Sequence, residues 1–270
     1  MVLNESTYFS EEASREFMSV SQFKRFQECE AAAMAELTGE YISERGRALL
    51  LGSYLDEMLT GTKESQAQFI EENRSELFKR NGDPYADILQ ADETIVRVQN
   101  QPLMMKYLGG EHQVVMTGEI EGVPFKIKMD SYQPGEFIAD LKYTASLRSP
   151  NLFQSMIAYW GYDIQAACYQ EIVRQNTGKQ LPFLFVVATK EKTAHLAVGK
   201  ISQWNMDSAF ETVRKKIKRY QAIKNGEIEP ERCEDYGCSY CTATKIITEA
   251  IDTDLFGMSR EQIRIANGDL

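Results

Sequence analysis

The chain is short of proline and histidine, has no long apolar run, and carries no surplus of positive charge. Seven prolines in 270 residues leave no Pro-rich linker. No Gly/Ser tract, fixed-period repeat or low-complexity stretch takes its place, so no domain boundary is marked. No apolar run approaches the ~18 residues of a membrane span. The opening segment MVLNESTYFSEEASREF is acidic and lacks the basic-then-apolar layout of a signal peptide. These absences lead us to expect a soluble, cytoplasmic protein. The two histidines, His112 and His195, fall in no motif and read as structural. Thirty basic against forty acidic residues give a net charge of −10, which argues against a phosphate-rich partner.

What is present is ordinary globular composition, 43% hydrophobic and 26% charged, which excludes collagen-like and disordered chains. The length fits one domain with a sizeable core. Residues 1–108 read as a helical N-terminal part. Ser21 is placed to cap a helix carrying Phe23 and Phe26, and a second helix is expected over Ala48–Leu59. Residues 109–225 change period. Gln113–Glu119 and Val123–Asp130 predict a hairpin, with Phe137–Lys142 a third strand after a Pro134-Gly135 turn. Leu152–Arg174 predicts one long helix, Phe183–Thr189 a buried strand, His195–Ile201 its neighbour, and Asn205–Lys224 a helix with a basic face. Residues 226–270 hold cysteines and an acidic tail. The order implies an α/β fold, a mixed sheet flanked by helices.

The chemistry concentrates around Asp130 and the run Asp140-Leu141-Lys142, ten residues further on. A turn at Pro134-Gly135 would bring both carboxylates to one side of the sheet. Two carboxylates and the Leu141 carbonyl make a hard oxygen site suited to Mg²⁺ or Mn²⁺. Lys142 shares the strand face of Asp140, where an ammonium could orient water or neutralise a phosphate oxygen. The same residues also fit solvated strand ends. Downstream, Gln165 and Tyr169 are four apart and so share one helix face. They could reach a metal-bound water and a phosphate, or find backbone partners in a core.

Asp130, Asp140-x-Lys142 and Gln165-x-x-x-Tyr169, in this order, resemble the PD-(D/E)xK nuclease superfamily. Within it they are similar to the branch of RecB-type nuclease domains, phage lambda exonuclease and exonuclease VIII. The opening Ser19-Val20-Ser21-Gln22-Phe23-Lys24-Arg25-Phe26-Gln27-Glu28-Cys29-Glu30 resembles an N-terminal signature of prophage-encoded exonuclease VIII-like proteins. The resemblance spans about residues 17–245. It implies a restriction-endonuclease-like core and metal-dependent cleavage of DNA, with linear duplex ends as substrate. Carried over residue by residue, it makes Asp130 and Asp140 metal ligands, with the Leu141 carbonyl beside them. Lys142 positions the nucleophile, and Gln165 and Tyr169 support the site and contact DNA. A single-strand-annealing recombination partner and a homo-oligomer are further implications. One departure stands out: the family's G-x-x-x-H pattern appears here as Gly52-Ser53-Tyr54-Leu55-Asp56, so Asp56 stands in the histidine's place. Aspartate also ligates Mg²⁺; an exposed acidic helix face is the other reading.

Five cysteines are present: Cys29, Cys168, Cys233, Cys238 and Cys241. Disulfides are not expected in a cytosolic chain. Some nucleases of this superfamily hold a 4Fe–4S cluster with one early and three late cysteines. Cys29 with Cys233, Cys238 and Cys241 has that count but a different late spacing. Four thiolates suit Fe–S or Zn²⁺, and reduced free thiols are the alternative. Cys168, inside the Gln165–Tyr169 helix, reads as packing.

The basic run Arg214-Lys215-Lys216-Ile217-Lys218-Arg219 makes Lys215, Lys216 and Lys218 candidate DNA contacts, or a solvated surface. Lys24, Arg25, Lys126, Lys128, Lys142 and Arg148 add positive charge near the carboxylates. The expected activity is that of a Mg²⁺-dependent exonuclease on linear double-stranded DNA in phage-type recombination. An inactive DNA-end-binding module and a repair endonuclease of the same fold are the alternatives.

Overall fold

The computed structural model describes residues 3–42, 46–151, 154–233 and 237–247, together with 254, 257–258, 262–263 and 265. Eight helices come first: α1 Glu11–Glu16, α2 Val20–Glu28, α3 Glu30–Thr38, α4 Arg47–Thr60, α5 Lys63–Glu72, α6 Arg74–Leu77, α7 Ala86–Gln99 and α8 Pro102–Leu108. Three strands follow, β1 Glu111–Ile120, β2 Val123–Gln133 and β3 Phe137–Thr144. Then come α9 Met156–Tyr159, α10 Tyr162–Thr177, β4 Phe183–Thr189, β5 Leu196–Lys200, α11 Gln203–Lys224 and α12 Ser239–Ala243. No described helix is long and apolar enough to cross a membrane.

The five strands form one sheet in the order β1-β2-β3-β4-β5. Only β3 and β4 run parallel. A parallel pair needs a crossover, and α10 supplies it. The β1–β2 hairpin turns at Glu121-Gly122, both with positive φ (52° and 79°), as tight two-residue hairpin turns require. The apolar run FLFVVAT becomes β4, buried at every residue, because helices cover both faces of the sheet. One face packs Phe125, Ile127, Met129, Phe183 and Phe185 against α2, α10 and α11. The other packs Leu141, Val186 and Ala188 against α4, α7 and α8.

Two irregularities interrupt this frame near Asp130 and Asp140. First, β2 pairs with β3 only through Ser131–Gln133, then diverges from it. The chain entering α2 fills the gap: Met18 forms a parallel bridge with Phe125, donating to the Pro124 carbonyl and accepting from the Lys126 N–H. Second, the long helix expected over Leu152–Arg174 is broken. Its expected first residues, Leu152 and Phe153, lie outside the described residues. Further on, the left-handed Gly161 (φ 60°) separates α9 from α10. A Cβ there would meet Lys24 Cε at 3.2 Å, so glycine permits both the backbone turn and the approach of α2. Ser19 rather than Ser21 caps α2, its hydroxyl accepting from the Gln22 N–H.

Candidate active site

The candidate site lies where β2 leaves β3. Asp140 and Lys142 project from β3 on the face covered by α10, as their two-residue spacing dictates. Asp140 is 3% exposed. Gln165 of α10 donates from Nε2 to Asp140 Oδ1 at 2.5 Å. Lys142 Nζ stands 2.6 Å from Asp140 Oδ2. That contact is a buried, charge-assisted ion pair, and it leaves Oδ2 with the Lys142 ammonium as its neighbour. Leu141 N–H donates to Asp130 Oδ2 at 3.1 Å. In an extended strand the N–H and C=O of one residue leave the same edge, so the Leu141 carbonyl also faces β2. Asp56 arrives from α4. Its Oδ2 accepts from Gln113 Nε2 at 2.9 Å, and His112 Nδ1 of β1 lies 3.1 Å from the Asp130 carbonyl oxygen.

The three acids act on one another electrostatically. Burial raises Asp130 well above the ordinary carboxylate range, and the charges of Asp140 and Asp56 add to it; Lys142 and the Leu141 N–H oppose them. Burial, then Asp140, pushes Asp56 up to about 6. Burial alone would lower Lys142, but Asp140 and Asp130 outweigh it and hold the ammonium above the usual lysine value. Burial and mutual repulsion thus outweigh the one nearby ammonium at these acids. The Asp140 carboxylate, the neighbouring acids and the Leu141 carbonyl form an all-oxygen donor set of the kind a hard divalent cation takes.

Around this centre, Tyr162 lies beneath the Lys142 ammonium, 4.8 Å from ring centroid to Nζ. Lys24 of α2 approaches the same ring at 5.6 Å and donates to the Trp160 carbonyl oxygen at 2.5 Å. Lys128 sits 4.8 Å from the centroid of Phe9, a ring 73% exposed.

Other residues expected at the site have other partners. Tyr169 is buried among core side chains and donates its hydroxyl to the Lys128 carbonyl oxygen at 2.9 Å. Its hydroxyl therefore ties α10 to β2, close enough to Asp140 and Asp130 to feel their charge. The basic run lies on α11 beside the β1–β2 turn. Arg214 and Lys218 pair with Glu121, and Arg219 pairs with Glu30 and Glu231. Lys215 and Lys216 are exposed. From Val123, next to that turn, to Asp130 is seven residues of strand, or about 24 Å at ~3.4 Å each. The structure therefore does not bring Lys215, Lys216 and Lys218 to the carboxylates. Arg25 is taken up by Glu28 and Glu36, and Lys126 is buried, donating to the Tyr8 carbonyl oxygen at 2.6 Å. Gln113 and His112 were not singled out by the sequence as site residues. No local motif marks them, because their role comes from strand register.

A second cluster lies apart from this site. The Sγ atoms of Cys29, Cys233, Cys238 and Cys241 all fall within 4.8 Å of one another. Cys29 sits between α2 and α3, its sulfur 3.6 Å from that of Cys241, while Cys233 and Cys241 are 3.7 Å apart. Burial pushes the Cys29 thiol up, but hydrogen bonds from the Ala32 and Cys233 backbones and the neighbouring thiols outweigh it, and the net shift is downward. Cys168 is fully buried in α10 and its thiol is pushed up by burial, as expected of packing.

Comparison with known proteins agrees with this geometry. A search of curated proteins found no match. The crystal structure of a candidate exonuclease from Eubacterium rectale superimposes with a TM-score of 0.88 at 39% sequence identity, covering 96% of this chain and 99% of that one. Residues 19–244 match the PDDEXK-like domain of unknown function (DUF3799), which runs from the cap of α2 past the last cysteine of the cluster. With that match covering most of its length and the carboxylate–lysine centre at the divergence of β2 and β3, the chain belongs to this PDDEXK-like family, within the PD-(D/E)xK nuclease superfamily.

Proposed function

We propose that this protein is a divalent-metal-dependent deoxyribonuclease that digests linear double-stranded DNA from its ends. The observation that carries the reading is the buried Asp140 carboxylate, ion-paired with Lys142 and acting electrostatically on Asp130 and Asp56. Asp130, Asp140, Asp56 and the Leu141 carbonyl would hold Mg²⁺ or Mn²⁺. Bound there, the cation supplies an acidified water and positive charge for a phosphodiester transition state. The protein does the rest. Gln165 holds Asp140 in one rotamer through Oδ1, with Oδ2 turned to the Lys142 ammonium. Lys142 stays protonated, held by two carboxylates, and so orients a nucleophilic water or neutralises a non-bridging phosphate oxygen. Tyr162 shields the Lys142 ammonium from bulk water on one side. The exonuclease character given to the similar Eubacterium rectale protein favours end-directed digestion. A phage-type recombination role, with an annealing partner and a ring-forming oligomer, follows from the exonuclease VIII-like signature at residues 19–30. A cytoplasmic location goes with such a DNA substrate.

The cysteine cluster is proposed to hold one zinc ion. A tetrahedral zinc with Zn–S bonds of ~2.3 Å sets its sulfurs roughly 3.8 Å apart. The 3.6 and 3.7 Å separations match that spacing. A 4Fe–4S cubane needs its four thiolates wider apart, because the cluster itself occupies the centre.

The test incubates 5′-phosphorylated linear duplex and covalently closed circles with Mg²⁺, comparing the wild type with Asp140→Ala and Lys142→Ala. Loss of the linear duplex alone, abolished by both substitutions, is the expected result. Cutting of circles would replace the exonuclease by an endonuclease. Inactivity with every divalent metal, alongside retained binding of DNA ends, would leave an end-binding module.

A further inference from the structure

We infer that Gln113 is a positioning residue for the cation site, holding Asp56 toward the other two carboxylates from a strained backbone conformation. The inference rests on the reading of Asp56 as a metal ligand. Gln113 is one of two non-glycine residues with positive φ among those described, at 53°. The other, Glu121, belongs to the hairpin turn, whose geometry demands it. Gln113 lies inside β1, where nothing about a strand asks for a left-handed residue. The pairing of β1 with β2 joins His112 to Ser131 and Val114 to Met129, and skips Gln113, which lies opposite Asp130. The irregularity is thus confined to the residue facing a proposed ligand.

Two contacts follow from it. The Gln113 side chain reaches Asp56 Oδ2 at 2.9 Å, and the neighbouring His112 ring lies 3.1 Å from the Asp130 carbonyl oxygen, which the skipped pair leaves available. Asp56 has little else to fix it. Among the described residues, its Oδ1 has a hydrogen bond only from the Thr60 hydroxyl, at 3.4 Å. An amide donor suits this position for a physical reason. It orients a carboxylate that Asp130 and Asp140 repel, yet adds no positive charge to compete with a cation. Strained residues of this kind persist where surrounding structure imposes them, and they gather at functional sites. Partners that orient metal ligands typically account for 10–100-fold of metal affinity.

The experiment titrates Mn²⁺ into the full-length protein without DNA and reads free Mn²⁺ by electron paramagnetic resonance, with thermal melts in EDTA alongside. Gln113→Gly accepts φ 53° without strain and removes the donor. It should bind Mn²⁺ about 10-fold more weakly while melting no lower than the wild type. Gln113→Asn tolerates the left-handed backbone but falls a methylene short of Asp56, and should weaken binding likewise. Asp56→Asn is the control for the underlying reading. If it binds Mn²⁺ as well as the wild type, Asp56 is no ligand and the inference goes with it. If Asp56→Asn weakens binding but both Gln113 variants match the wild type, the inference alone fails. Weaker binding in the Gln113 variants together with a lowered melting temperature would make Gln113 merely structural, and would also overturn it.

Discussion

Replacing Asp130 by Asn should stabilise the metal-free protein while abolishing its activity. The Asp130 carboxylate is pushed well above its ordinary range by burial and by Asp140 and Asp56, with Lys142 and the Leu141 N–H in opposition. Two unit charges about 5 Å apart at an effective dielectric near 20 interact by about 3 kcal/mol. Two repulsions against one attraction therefore leave roughly 3 kcal/mol of unfavourable interaction. Proton uptake relieves part of it, and caps the cost near 4 kcal/mol at pH 7 for an acid ordinarily near 3.9. Asparagine keeps an oxygen to accept from Leu141 and carries no charge, so we expect a gain of about 2 kcal/mol. For a chain of this size that is a rise in Tm of roughly 4–8 °C. The assay is a thermal melt at pH 7.5 in EDTA and again in saturating Mg²⁺. Metal binding at 100 times Kd adds about 2.7 kcal/mol to the wild type and far less to the variant. The order of the two melting temperatures should then close or reverse. An Asp130→Asn variant that melts below the wild type in EDTA would refute the claim that these carboxylates repel one another around a cation site.

Other measurements bear on other parts of the molecule. Purified protein should carry one zinc per chain by elemental analysis, and alanine at Cys233 or Cys241 should remove it and lower Tm; iron with visible absorption, or no metal at all, would overturn the zinc assignment. Glutamate at Lys215, Lys216 and Lys218 together should change the Kd for DNA less than about 3-fold at 0.15 M salt, because this stretch of α11 pairs with Glu121 at the β1–β2 turn, at the far end of β2 from Asp130. A loss of 100-fold would put DNA on that helix. Burial lowers Lys126 and Lys224 from 10.5 to about 8. Below pH 8 both states are protonated; between about 8 and 10.5 the unfolded chain binds more protons, so these two groups make stability rise with pH across that window. Methionine at both positions should flatten the rise in urea-denaturation midpoints. For Asp56 the sign is opposite. Its folded value, about 6, lies above the ordinary 3.8, so the metal-free wild type should lose stability relative to Asp56→Asn as pH rises from about 4 to about 6.

The elements legible in the sequence were those with a strong period or an unambiguous turn. The Glu121-Gly122 hairpin, the buried FLFVVAT strand and the acids ten residues apart all depend on local pattern, and each lands where the pattern puts it. The break at Gly161 was not legible as such. The apolar content of residues 152–174 continues through it, and only the approach of Lys24 from a segment 137 residues earlier shows why a glycine stands there. The neighbours of the basic helix were not legible for a related reason. Composition shows six residues of mostly positive charge, but the acids that face them, Glu121, Glu30 and Glu231, come from three other segments. Net charge fails as a guide in both directions. Three of the forty acids, Asp56, Asp130 and Asp140, act electrostatically on one another inside the fold, and several of the thirty bases are already paired.

The N-terminal helices read as a part preceding the catalytic core, yet the core is incomplete without them. Met18 takes the edge of β2 that β3 leaves open, through two backbone hydrogen bonds of 2.8 Å. Phe23 and Phe26 are buried in the same cluster as β2, α10 and α11. Lys24 ties α2 to the turn before α10, whose Gln165 orients Asp140, and α4 delivers Asp56. Burying a single Phe contributes about 1.5–3 kcal/mol, so losing two of them with the β2 edge approaches the whole stability of an ordinary domain, about 5–15 kcal/mol. A chain beginning at residue 109 should therefore be insoluble or lack a cooperative melt. A chain beginning at residue 17, which keeps Met18 and α2, should melt cooperatively and still bind Mn²⁺. If the fragment from residue 109 folded and cleaved DNA, the site would be built by the sheet and α10 alone, and neither Asp56 nor the α2 wall would be needed to complete it.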